Sequence, residues 1–496
     1  MVGFVEHYCL SSLVFTGEKE FKSLHCCLST LAVAVGGKSS KNAVAKKCLS
    51  TLIRLLGKEA RAYSCMTWLQ QTKGMNLREL DLGESEAKDL SGHWLSHFPD
   101  SCTSLVSLNI ACLASVVSFS ALERLVARSP YLRTLRLNRA VPIEKLPKLL
   151  RHASKLVDFG RRSYSADMQA DVSEVFINVS QAFSGCNQLK GLSGFWDDVP
   201  AYFPTIYPVH SKLTSLNLSY ATIQIPDLSK LIGNCFNLQR LSGSAVLDYI
   251  EDSGLEEIAN TCKELQELRV FPFDLFAPGP NVSLTEQGLV AVSMGCPKLQ
   301  SVLYFCRQMT NDALVSIARN RPNMIRYCLC NIEPQTPDYL ILEPLDTGFG
   351  AIVQQCKEVQ RLSFSGLLTD RVFEYIGVHA KKLEMLSLAF AGDSDLGLLY
   401  VLSGCESLRK LETRDCPFGD EALLAIAAKL ETMRSLWMSN CSRTVSGRRF
   451  DTPGFVWIID EDATSTPYSN GISLWLLLRK TSGISSMLIF HLHLLA

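Results

Sequence analysis

Six basic side chains stand at recurring places in this sequence. Arg269, Arg326, Arg361 and Lys410 occupy similar positions in a repeating apolar pattern, and Arg409 and Arg434 lie one position earlier. Guanidinium forks match phosphate oxygens, so several converging on one ligand would suit a multiply phosphorylated small molecule. Taken alone, the pattern leans to a plainer reading, solvated charges paired with neighbouring acids, and the ligand stays open. Catalytic chemistry has less support. The 9 histidines are scattered, and no H-E-x-x-H, P-loop or G-x-S-x-G motif occurs. Gly348-Phe349-Gly350 is too short for a dinucleotide loop. No C-x-x-C pair stands beside zinc-finger partners, so no metal site is expected.

The elements that must position these charges come from a repeat. L-x-x-L-x-L or a close variant occurs as Leu77-Leu80-Leu82, Leu105-Leu108-Ile110, Leu132-Leu135-Leu137 and Leu213-Leu216-Leu218. It continues as Leu265-Leu268-Val270, Val359-Leu362-Phe364, Leu383-Leu386-Leu388 and Met433-Leu436-Met438, with weaker copies from Leu156, Leu189, Leu238, Leu299, Met324 and Leu408. Leu383, Leu408 and Met433 are spaced by 25, the leucine-rich-repeat period. Longer gaps after Leu156, Leu265 and Met324 imply inserted loops. Cysteine stands three residues ahead of the first apolar position in seven repeats, at Cys102, Cys186, Cys235, Cys262, Cys296, Cys356 and Cys405. A thiol is a small hydrophobe suited to a tight repeat corner. Helices are expected after Thr285-Glu286-Gln287 and Thr310-Asn311-Asp312, with Leu289, Val292, Leu314, Ile317 and Ala318 on their buried sides.

The fold class predicted is α/β: a leucine-rich-repeat solenoid, a curved horseshoe with parallel strands on the concave face and helices outside. Alternation along each strand points the third, fifth and seventh pattern positions into the concavity. The repeat spans 77–442. Residues 1–76 are an atypical N-terminal segment with one plausible helix, Ala43 to Leu56, and 443–496 read as an irregular tail.

The 496 residues carry 49 basic and 49 acidic side chains, so bulk charge does not argue for nucleic acid or an anionic membrane. The start, Met1 to Glu6, lacks the basic opening of a secretory signal, and 18 cysteines then favour a reduced intracellular protein. The apolar run Leu474 to Leu478 stops at Arg479-Lys480, short of a membrane span.

Several long words are more specific than the repeat. They include 91–100 (SGHWLSHFPD), 192–197 (LSGFWD), 246–252 (VLDYIED), 304–310 (YFCRQMT), 366–370 (GLLTD) and 391–397 (AGDSDLG). From about residue 76 to 442, and again at 449–457, the chain resembles the auxin-signalling F-box, or transport inhibitor response, family of plants. The resemblance implies a non-catalytic substrate-recognition subunit of a cullin-type ubiquitin ligase, acting in the nucleus. Its partners would be a Skp-type adaptor and cullin, auxin, and the degrons of Aux/IAA transcriptional repressors. Its structural cofactor would be inositol hexakisphosphate.

The resemblance places Arg269, Arg326, Arg361, Arg409, Lys410 and Arg434 around the inositol phosphate. Cys328, Leu329, Arg361, Ser363 and Ser387 would lie near auxin, and Phe276 and Glu412 near the degron. Cys328 stands where the family carries the arginine that grips the auxin carboxylate. Residues 1–76 show no recognisable F-box, which keeps open a second reading, a pseudo-receptor or repeat scaffold that does not recruit the ligase.

Overall fold

A computed structural model describes residues 78–82, 94–161 (99, 101, 112, 114 and 115 excepted), 172–194, 200–219, 221, 225–244, 252–271, 285–306, 308–331, 335–419, 433–439 and 456–460. Phe276 and the helix expected over Ala43 to Leu56 lie outside these residues. The chain divides into two units.

The described part of the first unit ends at Leu189. It holds β1 (Glu79–Asp81), β2 (Ser107–Asn109), α1 (Phe119–Ala127), β3 (Thr134–Leu137), α2 (Leu146–His152), β4 (Asp158–Arg161) and α3 (Val172–Ser184). Strands β1 to β4 pair in parallel in chain order. Their leucines and Phe159 are buried, and the Phe159 ring meets Phe183 of α3 at 5.8 Å.

The second unit begins at Lys190. It runs β5 (Gly191–Ser193), α4 (Tyr207–His210), β6 (Ser215–Asn217), α5 (Ile225–Ile232), β7 (Arg240–Ser244), α6 (Asp252–Thr261), β8 (Glu267–Phe271), α7 (Glu286–Gly295), β9 (Ser301–Cys306) and α8 (Asn311–Asn320). It continues with β10 (Arg326–Asn331), α9 (Asp346–Gln355), β11 (Arg361–Ser365), α10 (Asp370–His379), β12 (Met385–Ala389), α11 (Asp395–Gly404), β13 (Lys410–Arg414), β14 (Ser435–Ser439) and β15 (Val456–Asp460). Each strand pairs in parallel with the next. Parallel pairing needs a crossover, and among the described residues short helices supply it between β5 and β13. This is the α/β leucine-rich-repeat solenoid that the period predicts. The tail read as irregular is corrected by β15: Val456 to Asp460 extend the ladder beyond residue 442.

The corner cysteine has a structural explanation. Its N–H closes the last helical turn: Cys296 donates to the Val292 carbonyl at 2.9 Å, and Cys356 and Cys405 donate to those of Ile352 and Val401 at 2.8 Å. Its own carbonyl then accepts the N–H of the residue three places on, as with Leu299 on Cys296 at 3.2 Å and Leu265 on Cys262 at 3.1 Å. The chain turns from helix to strand within that ring, which fixes the C-x-x-L spacing. All seven corner thiols are buried, and none is in a disulfide. Burial pushes those of Cys235 and Cys356 up to about 12 and that of Cys296 to about 11.

A second ladder joins helix starts. Thr285 and Thr310 cap α7 and α8 as expected, accepting the N–H groups of Gln287 and Ala313. The acid opening one helix also binds the cap of the next. Asp252 accepts from Thr285 Oγ1 at 2.6 Å and Asp346 accepts from the N–H of Thr369 at 2.9 Å. Asp370 likewise accepts from the N–H of Ser394 at 3.2 Å. The loop inserted after Met324 joins this ladder through Asp338, which accepts from the Asn311 N–H at 2.7 Å. At the other helix ends, neighbours approach too closely for a side chain: a Cβ on Gly295 would stand 2.3 Å from the Ala259 carbonyl oxygen. Lys263 Nζ bridges that contact, donating to Ala259 at 2.6 Å and Gly295 at 3.1 Å. Among the described residues no helix is long and apolar enough to cross a membrane.

Candidate functional site

One face of the second unit's sheet packs against the helices, as the Phe349–Phe364 ring contact at 4.9 Å shows. The other face is open, and alternation assigns each strand residue to one or the other. Register then sorts the open face into rows. The first row contains Arg240, Glu267, Ser301, Arg326, Arg361, Met385, Lys410 and Ser435 on β7 to β14. The second row contains Ser242, Arg269, Leu303, Cys328, Ser363, Ser387, Glu412 and Trp437.

Arg326 and Arg361 are therefore direct neighbours, with strands about 4.8 Å apart. Both are half-buried. The Arg361 guanidinium is held below its ordinary value, chiefly by burial, then by Arg326; Glu384 opposes this, and Arg269 adds to it. Like charges set side by side on a half-buried face repel one another, and an anion placed against them is favoured.

The six predicted basic residues fall into three places rather than one column. Arg326, Arg361 and Lys410 share the first row. Arg269 is corrected to the second row, because it stands at the fifth pattern position and not the third; its Nε is 2.5 Å from Glu267. Arg409 and Arg434 precede β13 and β14 and are exposed, and their backbone N–H groups bond the Glu384 and Arg409 carbonyls.

Cys328, Ser363, Ser387 and Glu412 stand side by side in the second row. Ser363 is half-buried, while Cys328, Ser387 and Glu412 are 5%, 4% and 6% exposed. Leu329 does not share this face. It pairs with Phe364 and is 1% exposed in the core, so only its main chain could meet a ligand here. The Cys328 Sγ lies 4.0 Å from Cys330 Sγ. Hydrogen bonding with Cys330 lowers the Cys328 thiol from its ordinary value; burial opposes this, and Ser363 and the Arg269 charge reinforce it.

Sequence reasoning missed Arg240, Cys330 and Arg414. Arg240 is the third position of the Leu238 repeat. Arg414 is the seventh position of the Leu408 repeat and 2% exposed, with Nε 3.1 Å from Asp415 Oδ2. The rule that points third, fifth and seventh positions to one face finds all three when applied to every repeat.

No family model matches the chain. A Transport inhibitor response 1-like protein of Oryza sativa subsp. japonica is 59% identical over 374 residues, 75% of this chain and 62% of the relative. GRR1-like protein 1 of Arabidopsis thaliana is 52% identical over 439 residues, 80% of this chain and 73% of the relative. F-box protein FBX14 of Arabidopsis thaliana is 44% identical over 379 residues, 76% of this chain and 60% of the relative. This chain thus spans about three fifths to three quarters of the length of these relatives. With 59% identity to one such protein, and 52% to another of which it covers 73%, the chain belongs to the plant transport inhibitor response 1-like family.

Proposed function

We propose that this chain is the recognition part of an auxin-receptor-like adaptor of an SCF-type ubiquitin ligase, non-catalytic itself and acting in the nucleus. In this reading the open face of the second unit binds inositol hexakisphosphate at the basic first row. Auxin sits against the neighbouring Cys328–Ser363–Ser387 row, and an Aux/IAA degron closes over it beside Glu412. The observation that carries the reading is the juxtaposition of Arg326 and Arg361, half-buried and charged alike, in a family member. Like charges held together at a partly desolvated face cost stability, and a polyanion offsets that cost when it binds.

Calorimetry with inositol hexakisphosphate tests it. Losing one charge-assisted contact costs roughly 1.5–3 kcal/mol, about 10- to 150-fold in affinity. Arg326→Ala and Arg361→Ala should each show that loss. Unchanged affinity in both variants would remove the phosphate site. Pull-down with a Skp-type adaptor then separates a ligase subunit from the pseudo-receptor reading.

A further inference from the structure

The second-row thiol Cys328 and its neighbour Cys330 have no part in the reading above beyond Cys328's place near auxin. We propose that the two form a two-thiolate site for a soft monovalent cation of the Cu(I) class. The inference stands on their geometry and does not depend on the auxin reading.

The two residues are two apart on β10, so both side chains leave the same face of the strand. Their sulfurs lie 4.0 Å apart. A soft d10 cation bound by two thiolates at about 2.2 Å each would fit between sulfurs at that separation with little movement, and soft thiolate donors select Cu(I). A disulfide fits poorly. Two residues of extended strand set the Cα atoms about 6.6 Å apart, near the long end of disulfide geometry. Tetrahedral zinc also fits poorly, because it takes four ligands. Among the described residues no third His, Cys, Asp or Glu gathers with this pair into a metal-binding group.

The surroundings suit the charge of the product. Binding replaces two thiol protons with one cation: Cu⁺ and two S–H groups give a bis-thiolate complex of net charge −1 and two released protons. Arg269 lies close enough to lower the Cys328 thiol, and Arg326 begins the same strand. The hydrogen bond between the two thiols favours the Cys328 thiolate, as does the Ser363 hydroxyl, whereas the same bond and burial push the Cys330 thiol well up, so the cation itself must displace that second proton. Cys328 is nearly closed to solvent, but Cys330 is half-buried and gives a small ion its entry.

The experiment titrates the full reduced chain with Cu(I) buffered by a bathocuproine chelator under anaerobic conditions. Cys328→Ser and Cys330→Ser should each bind one equivalent fewer than the parent, with far-UV circular dichroism unchanged. In the parent itself, iodoacetamide labelling of Cys330 should fall about tenfold or more once Cu(I) is added. This second measurement needs no variant and so holds even if a substitution disturbs folding. Equal stoichiometry in parent and variants, or Cys330 labelled as fast with Cu(I) as without it, would overturn the site.

Discussion

In the second unit, cysteine and basic side chains occur both at the helix-to-strand corners and on the open face of the sheet, and their environments differ. At the corners Cys235, Cys296 and Cys356 are buried, and burial drives their thiols upward. On the open face Cys328 is equally enclosed, yet Cys330, Ser363 and Arg269 hold its thiol below the ordinary value. The basic groups divide in the same way. Lys263 at a corner neutralises two helix ends, whereas Arg326 and Arg361 on the face work against each other. Residue type therefore does not separate scaffold from site; what surrounds the polar atom does. A corner group is shifted by burial or held by helix-end carbonyls, whereas a face group is shifted by the polar and charged side chains beside it.

The largest effect that sharpens this contrast is alkaline unfolding. A thiol whose folded pKa is raised keeps its proton when the unfolded chain has lost it, so ionisation favours unfolding. The stability it contributes is complete below the ordinary value of 9.0 and is lost as pH rises toward about 12 for Cys235 and Cys356 and about 11 for Cys296. Each fully linked thiol steepens the fall by about 1.4 kcal/mol per pH unit, so three together amount to several kcal/mol. The buried phenols of Tyr304 and Tyr327 act in the same direction. Urea midpoints at pH 8, 9 and 10 should fall steeply for the parent and less steeply for Cys235→Ala. Cys328→Ala removes a lowered thiol together with the contact that raises Cys330, so it should change the slope less than Cys235→Ala does. Equal slopes in all three would mean that corner and face thiols share one environment.

Next in size is the exchange that would turn the face toward a carboxylate. A buried carboxylate without a matched donor loses its solvation uncompensated. Arginine supplies a fixed charged fork, and the thiol at position 328 is a weak donor that becomes an anion more readily than usual. Cys328→Arg should tighten auxin-dependent degron binding by roughly 1.5–3 kcal/mol, about 10- to 150-fold. Because the variant also removes one of the paired thiols, Cys330→Ser serves as its control and should leave auxin affinity near that of the parent. If Cys328→Arg binds auxin no better than the parent, position 328 has no role in gripping the carboxylate.

How much of this was legible in the sequence follows from the range of each interaction. The C-x-x-L corner was legible because its hydrogen-bonded ring closes within four residues. The open face was legible because alternation has period two, and that rule placed Arg326, Arg361 and Lys410 in one row. Arg269 falls in the second row because the third and fifth pattern positions share a face but not a row. Leu329, which the resemblance places near auxin, points the other way by the same alternation and lies in the core. The Asp338 anchor of the inserted loop was not legible, since it meets Asn311 across 27 residues with no periodic signal. The strand Val456–Asp460 lay beyond the last clear repeat, and pairing with β14 decides it more than its own pattern does.

The smallest effect contrasts a corner lysine with a face arginine. Lys263 donates to the carbonyls of Ala259 and Gly295, at the C-terminal ends of α6 and α7, and Lys381 does the same for Gly377 at 2.8 Å and Gly404 at 3.0 Å. A cation at a helix C-terminus meets the negative end of the dipole and stabilises by roughly 0.3–1 kcal/mol where it is exposed to solvent. Lys263→Met and Lys381→Met keep much of the aliphatic length and remove the charge, so each should lower stability by about that amount. Neither should change inositol hexakisphosphate affinity, because both lysines belong to the helix ends and not to the open face. Arg361→Ala should do the reverse. It removes a guanidinium that burial and the Arg326 charge disfavour, so its cost in stability should be smaller than that of Lys263→Met, while phosphate binding falls. Denaturant midpoints and calorimetry on the same three variants give both readings. A loss of stability in Arg361→Ala as large as in Lys263→Met, with phosphate binding unchanged, would mean that the arginine serves the scaffold, and the distinction between corner and face would fail where it matters most.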